Sequence, residues 1–375
     1  MMKKNEKGEP PMAPIADFAR GMGIGGWLTN YKRFHVLPEH RRMTLTTGDF
    51  EHFRTYITER DIAYIASLGM DHIRLGFDQI VLESATGVYR EETFALLRDF
   101  VTWCRRAGVR AVLNLHKAIG NYCDIAEPVH LLDDEALQAR FIALWEQMED
   151  RFADTPEVAF ELLNEVRDGD SGKWNALAAR TLAALRKKNP RRTVIIGSTC
   201  WNSVHTLKDL AVTDDPCVIY TFHTYDPFSF THQQGVLQEG PLFYNRQMPW
   251  PGDIARYRDY EKVVNGNENA YAGYTVMDRA YLHDSLRPAL AFKKEHPSAV
   301  LWCGEFGTIR HCPIVYRENW MRDVIAFCLA HRIPYCCWNY LSTPNDGNRF
   351  SLVDDDTRTI LSPRLAHILR GELDA

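Results

Sequence analysis

The sequence predicts a single (β/α)8 barrel of the TIM type, an α/β fold with a long loop insertion after its sixth strand. Three observations lead to this prediction. Short apolar runs recur eight times, helical patterns lie between most of them, and no low-complexity linker divides the 375 residues. An open, doubly wound sheet is the alternative arrangement of the same elements.

The apolar runs are nearly continuous, as is typical of strands that are buried on both faces. In chain order they cover residues 22–28, 72–77, 109–116, 158–164, 193–197, 218–223, 299–305 and 333–338. Parallel strands need crossover connections, and right-handed crossovers through helices would close these eight runs into one barrel.

Amphipathic helical patterns occupy most of the intervals between the runs. They cover residues 61–68, 94–106, 134–152, 174–188, 278–295 and 319–331. Gly69 and Gly108 each follow such a pattern, and Pro190 follows another. Glycine directly after a helix and proline shortly after it are the usual stop signals.

Residues 224 to about 276 break this alternation. The segment is rich in aromatic residues, proline, glycine and asparagine, and it is too long for an ordinary loop. A loop after the sixth strand leaves from the carboxyl-terminal face of a barrel, where active sites lie. We therefore expect part of this insertion to contact ligand and to close one end of a cleft into a pocket.

The first 20 residues are charged and contain proline, and we interpret them as an N-terminal tail before one catalytic domain, residues 21–375. No apolar stretch of the kind found in secretory signals follows Lys3, Lys4 and Lys7. The nine cysteines form no C-x-x-C pair, which favours a reducing compartment. We expect a cytoplasmic protein, or a secreted one if a leader has been removed.

The composition excludes several classes of protein. With 45% hydrophobic and 25% charged residues, the chain is neither disordered nor collagen-like. A net charge of −5 provides no basic excess for nucleic acid. No apolar run approaches the ~18 residues that a membrane helix needs. We therefore expect neither nucleic acid nor membrane as a partner, and the sequence leaves the oligomeric state open.

Polar and aromatic residues gather at the ends of the predicted strands. In chain order they are Arg74, His116, Asn164, Glu165, His223, Tyr225, Glu305 and Trp338. Barrel closure would bring these strand ends to one rim, with Trp338 exposed there. Glu165 and Glu305 are then predicted to face each other across the mouth.

Two carboxyl groups beside an aromatic surface suit glycoside hydrolysis. One must be protonated to supply the poor leaving group with a proton, while the other must be ionised to face the developing oxocarbenium ion. Arg74 is placed to keep one carboxylate charged. Trp338 offers a flat face for the C–H side of a sugar, and His116, Asn164 and His223 offer hydrogen bonds to its hydroxyl groups.

Two more tryptophans are candidate substrate contacts. Trp201 follows the fifth run, where a sugar platform and a packing role fit equally well, and Trp27 lies in the first run. Residues 21–26 also contain G-x-G-x-x-G, but the strand and helix that a dinucleotide site requires are not predicted around it. His311 and Cys312 lack partners at metal-ligand spacing. We therefore expect no cofactor and no metal.

These motifs together resemble glycoside hydrolase family 5, the cellulase-type family of the retaining (β/α)8 clan. The matching motifs are Ile-Arg-Leu-Gly-Phe around Arg74, Leu-Asn-Leu-His ending at His116, Asn164-Glu165, His223-Thr-Tyr225, Gly-Glu-Phe-Gly around Glu305, and Trp338. Gly25-Gly26-Trp27-Leu28 is similar to the opening strand of many members. Many members carry proline after the Asn-Glu pair, where this chain has Val166.

The resemblance implies a retaining β-glycosidase in which Glu165 is the general acid/base and Glu305 the nucleophile. It implies a β-linked glucan or gluco-oligosaccharide as substrate, cleaved as by an endoglucanase or an exo-β-glucanase. A β-mannan or another plant β-glycan is the alternative substrate. A non-catalytic sugar-binding barrel is the alternative function.

The resemblance also implies roles for the residues around the two acids. Arg74 and Tyr225 would hydrogen-bond the nucleophile, and Asn164 would bind the 2-hydroxyl group of the sugar. His116 and Trp338 would line the subsite of the glycone, which is the sugar that the enzyme retains during the reaction.

Overall fold

Eight parallel strands form a closed barrel in a computed structural model of the chain, which confirms the predicted fold. The structure describes residues 18–29, 44–122, 128–236, 238–343 and 346–374. The strands are β1 (Arg20–Leu28), β2 (His72–Asp78), β3 (Arg110–Lys117), β4 (Ala159–Glu161), β5 (Val194–Gly197), β6 (Val218–Thr224), β7 (Val300–Phe306) and β8 (Tyr335–Cys337). Each strand pairs with its neighbours in sequence, and β1 pairs with β8. Most of the predicted tail, residues 1–17, lies outside the described residues.

Helices cover the outside of the barrel close to the predicted positions. The longer ones are Thr47–Thr55, Glu59–Ser67, Glu91–Ala107, Glu135–Arg151, Ser171–Lys188, Arg279–Ser285, Arg287–Glu295, Ile314–Ala330 and Pro363–Leu369. The predicted helix 278–295 is two helices, because Pro288 lacks the N–H that a continuous helix would need. Only the short turns Thr199–Asn202 and Val204–Asp209 connect β5 to β6. No described helix is long and apolar enough to cross a membrane.

The side chains inside the barrel change in character from its floor to its mouth. The floor is an apolar cluster of Phe18, Val112, Ala159, Ile195, Ile219, Trp302 and Cys336. One layer higher, Arg74 and Glu161 are buried without any exposed surface. Because buried charges must be paired, we expect specific polar contacts in this layer.

Strand β1 faces the barrel interior with glycines. A Cβ atom on Gly21 would lie 2.1 Å from the ring of His72, and one on Gly23 would lie 2.7 Å from the ring of Trp338. Gly25 would also meet the Trp338 ring at 2.7 Å. The glycine repeat in residues 21–26 therefore makes room for large side chains from neighbouring strands, which explains the motif without a nucleotide.

The insertion after β6 is a packed unit rather than an open loop. It contains the helices Phe228–Thr231, Glu239–Tyr244 and Ile254–Asn265, and its strand Gly252–Asp253 pairs with Val276–Met277. Trp250 is fully buried, and its Nε1–H donates to Asp323 of the helix Ile314–Ala330 at 2.9 Å. This anchor fixes the insertion beside the mouth of the barrel.

Candidate active site

A break in the alternation of β7 brings Glu305 into the mouth. Trp302 points into the barrel floor, so strict alternation would place Gly304 inside and Glu305 outside. Cys303 pairs with Phe222, but Glu305 pairs with the next residue, His223, so β7 contains one extra residue here. This β-bulge turns the Glu305 side chain toward the other strand ends.

Both carboxylate oxygens of Glu305 accept a hydrogen bond. The Tyr225 hydroxyl donates to Oε1 at 2.5 Å, and Nη1 of Arg74 donates to Oε2 at 2.7 Å. Burial raises the pKa of Glu305, whereas His223, Arg74 and the Tyr225 hydrogen bond act to lower it and Glu165 adds to the rise. The two donors orient the carboxylate and favour its ionised form.

Arg74 is shared between two buried carboxylates. Its Nε and Nη2 donate to Glu161 at 2.6 and 2.9 Å, while Nη2 also donates to Oδ1 of Asn164 at 2.5 Å. The sequence motifs predict Arg74 beside Glu305 but do not indicate Glu161. The available signal was a charged residue in the middle of a buried strand, which needs a counter-ion from another buried strand.

The side chain of Glu165 lies beside His223 and faces Glu305. Nδ1 of His223 is 2.9 Å from Oε1 of Glu165, and the Glu165 side chain is 16% exposed. Burial lowers the pKa of His223 to about 4, so the ring is neutral near pH 7. Within the described part of the chain, Glu165, His223 and Glu305 are the one group of three side chains close enough to hold a metal ion. One potential ligand atom of each lies within 4.8 Å of those of the other two.

Trp338 and His116 form a buried wall next to these acids. Their rings are nearly parallel, at 14° with centroids 5.3 Å apart. Trp338 is only 8% exposed, which corrects the expectation of an exposed rim: the glycine-lined β1 lets the indole sink below the strand ends. His116 lies 3.5 Å from the Asn164 amide, and burial holds its pKa well below the usual value.

Comparison with known proteins identifies the family of this chain. Residues 37–343 match the cellulase family, glycosyl hydrolase family 5. The chain is 33% identical to Endoglucanase C of Acetivibrio thermocellus over 366 residues, which is 95% of this chain and 98% of the relative. The chain belongs to glycoside hydrolase family 5.

Other members of family 5 extend this comparison. Cellodextrinase A of Ruminococcus flavefaciens is 27% identical over 93% of this chain and 94% of its own length. Among solved structures, Thermotoga maritima Cel5A in complex with cellobiose superposes with a TM-score of 0.71 at 22% identity, covering 94% of this chain and 97% of the other. The same Thermotoga protein is known in complex with mannotriose.

Trp201 is exposed, and the backbone around it has an unusual left-handed conformation. It is 48% exposed, and Cys200, Trp201 and Asn202 all adopt left-handed conformations with φ between 52° and 58°. Such conformations are unfavourable for non-glycine residues and need support from their surroundings. The backbone N–H of Trp201 donates to the carbonyl of Val166 at 3.0 Å, and the indole lies 5.7 Å from the guanidinium of Arg167, two residues after Glu165.

Trp27 has a packing role, which corrects the prediction of a substrate contact. It is fully buried, its Nε1–H donates to the Phe53 carbonyl at 2.7 Å, and its ring stacks on Trp103 with centroids 6.0 Å apart. The pairing of β1 with β2 shifts register between Ile24 and Leu28. This shift turns Trp27 away from the interior that Gly21, Gly23 and Gly25 face.

Proposed function

We propose that this family 5 enzyme hydrolyses β-linked gluco-oligosaccharides and soluble β-glucan by double displacement, with Glu305 as nucleophile and Glu165 as acid and base. The observation that carries the proposal is the spacing of the two carboxyl groups: one oxygen of Glu165 lies within 4.8 Å of one oxygen of Glu305. Retaining glycosidases place these groups about 5–5.5 Å apart, whereas inverting enzymes leave room for a water molecule. The relatives named as endoglucanase and cellodextrinase support a glucan rather than a mannan.

The first step forms a bond between Glu305 and the anomeric carbon. Arg74 and Tyr225 each hold one carboxylate oxygen, so the nucleophile reaches the sugar already oriented. The bond to the glycosidic oxygen breaks as Glu165 gives that oxygen its proton. Glu165 thereby becomes a carboxylate beside the neutral ring of His223.

The second step releases the sugar with its original configuration. Glu165 takes a proton from a water molecule, whose oxygen attacks the anomeric carbon while the bond to Glu305 breaks. The Glu165 side chain is 16% exposed but that of Glu305 only 6%, so water reaches the base more easily than the nucleophile. This difference in exposure suits the two roles.

We assign the sugar-binding contacts by their position around the barrel. Trp338, directly after β8, and His116 on β3 would hold the glycone, since the Trp338 ring lies 6.0 Å from the Arg74 guanidinium and stacks on His116. Trp201 would stack on the first sugar of the leaving group, because it lies beside the Glu165 segment. The Arg167 guanidinium, 5.7 Å from the centre of the indole ring, would support this platform.

Replacement of the acid/base tests the function. We expect Glu165→Gln to reduce kcat/KM on cellotetraose by about 10³-fold or more, but to reduce it far less on a cellobioside with an activated aryl leaving group that needs no proton. Proton NMR of the unmodified enzyme acting on cellotetraose should show the β-anomer first. Equal losses on both substrates, or the α-anomer first, would contradict the proposal.

Glu157→Gln is the matched control for this experiment. Glu157 is a partly exposed glutamate that pairs with Arg105 at 2.6 Å, and it precedes β4 at the end of the barrel away from the mouth. The control should leave both substrates unaffected. Xylan, mannan and xyloglucan oligosaccharides complete the panel, and faster turnover of mannan than of glucan would overturn the proposed substrate.

We also propose a reducing, intracellular setting for the enzyme. The eight described cysteines are free, and six of them are buried: Cys104, Cys303, Cys312, Cys328, Cys336 and Cys337. Thiol titration of the unfolded protein purified under alkylating conditions should find every cysteine reduced. Disulfide-bonded protein in its native compartment would contradict this location.

A further inference from the structure

The residues after β6 carry a short aromatic series from the nucleophile toward solvent. Tyr225 donates a hydrogen bond to Glu305, and its ring packs edge-on against His232 with centroids 5.2 Å apart. Phe228, three residues after Tyr225, stacks on the same His232. Phe228 therefore lies beside the mouth but farther from the nucleophile than Tyr225.

The stacking covers one face of the Phe228 ring and leaves the other in the open. The rings of Phe228 and His232 are 3.9 Å apart at 17°, and Phe228 is 40% exposed. Phe230, two residues later, is fully buried, whereas Phe228 stays partly exposed. A phenyl ring held flat at the surface of a site is a ready partner for another apolar face.

His232 is a rigid support for this ring. Its Nδ1 lies 3.0 Å from the Thr231 hydroxyl, and Phe350 packs against it edge-on at 5.1 Å. Burial lowers the pKa of His232 to about 3, so it stays neutral. The ring under Phe228 is thus fixed on three sides and does not change its charge with ordinary changes in pH.

The order of the strands assigns Phe228 to one side of the scissile bond. Trp338 directly follows β8, and His116 lies on β3; these strands neighbour β1 and β2, and we assigned this half to the glycone. β6 belongs to the other half, with β4 and β5. A sugar that leaves past Glu165 moves across this second half.

We propose that Phe228 is a sugar-binding platform on the leaving-group side, which stacks on a pyranose ring beyond the first sugar after the scissile bond. The ligand class is a β-linked gluco-oligosaccharide long enough to pass Trp201, so the inference rests on the proposed function and extends its binding site. His232 holds the Phe228 ring in place, and the ring raises kcat/KM for substrates long enough to reach it.

Phe228→Leu tests this platform, because leucine retains an apolar side chain but removes the flat face. We expect kcat/KM on cellohexaose to fall about ten-fold, with no change on β-cellobiosyl fluoride, which has no sugar on the leaving-group side. Phe228→Trp should stay within about two-fold of the unmodified enzyme on both substrates, since an indole restores the face.

Phe243→Leu is the matched control on the same insertion. Phe243 is 75% exposed, and within the described residues no aromatic ring stacks on it. We expect this variant to behave like the unmodified enzyme. An equal loss for Phe243→Leu on cellohexaose would indicate a general effect of apolar surface and overturn the platform.

Three further outcomes are decisive. A loss on cellobiosyl fluoride as large as that on cellohexaose would mean that Phe228 only supports Tyr225. No loss on cellohexaose would mean that Phe228 binds no sugar. If the unmodified enzyme fails to hydrolyse cellobiosyl fluoride, the proposed function itself is wrong, which separates that failure from a failure of the platform.

Discussion

The two halves of the barrel mouth present their aromatic rings in opposite ways. Trp338, in the half that we propose for the glycone, is 8% exposed and packed against His116, whereas Trp201, in the half proposed for the leaving group, is 48% exposed on a connection outside the strands. Charge develops at the anomeric carbon of the glycone, so its surroundings must be dry and fixed before the reaction. The leaving-group half only binds and releases sugar, and open platforms suffice there.

We expect the largest loss of activity from replacing Glu305. Glu305→Ala should lower kcat by about 10⁴-fold or more on every substrate, whatever the leaving group, because no covalent intermediate can form. The variant should still fold, because Arg74 keeps its buried partner Glu161, and circular dichroism checks this. Near-normal turnover by a folded variant would remove Glu305 from the mechanism.

We expect smaller effects, on the pH dependence of activity, from replacing the groups around Glu305. Tyr225→Phe removes a donor that stabilises the ionised Glu305, so the pKa of Glu305 should rise further and the acid limb of kcat/KM should move up by about one pH unit. Glu161→Gln should move the same limb down, because the charge of Arg74 then acts mainly on Glu305. A pH profile between pH 3 and 9 for both variants measures this.

These two variants check each other. Glu161 contacts Arg74 and Tyr225 contacts Glu305, and a general loss of packing at either place would lower activity at all pH values without moving the limb. Shifts of the limb in the same direction for Tyr225→Phe and Glu161→Gln would contradict the electrostatic account.

We expect the smallest loss of activity from replacing Trp201 on the proposed leaving-group side. Trp201→Ala should lower kcat/KM on cellotetraose by about ten-fold and leave β-cellobiosyl fluoride unchanged, because only the first substrate places a sugar on this side. Steady-state kinetics on both substrates measure the difference. A loss on the fluoride as well would show that the strained segment around Trp201 supports Glu165 rather than binding sugar.

The barrel itself could be predicted from the sequence because buried parallel strands and amphipathic helices leave different periodic patterns. The order of the motifs also brought most site residues to one rim. The motifs placed Glu305 at the mouth correctly but did not show what turns it inward, and they placed Trp27 wrongly. Glu305 faces inward only because of the bulge at Gly304, and Trp27 faces outward because β1 shifts register after Ile24.

Both placements depend on strand register, which is a property of neighbouring strands rather than of one segment. A single extra residue reverses which side chains point into the barrel, and no local pattern records it. Glu161 was missed for a different reason. Its partner Arg74 is 87 residues away in sequence, and only the paired strands show that the two charges share one layer.

The glycines of β1 have a practical consequence. A methyl group at Gly23 or Gly25 would lie 2.7 Å from the Trp338 indole in both cases, so the ring would have to shift. β1, which carries no reactive group, thus fixes the position of the indole that we propose as a contact for the sugar. Efforts to alter the sugar preference of this enzyme can start at β1 and leave the machinery of bond cleavage intact.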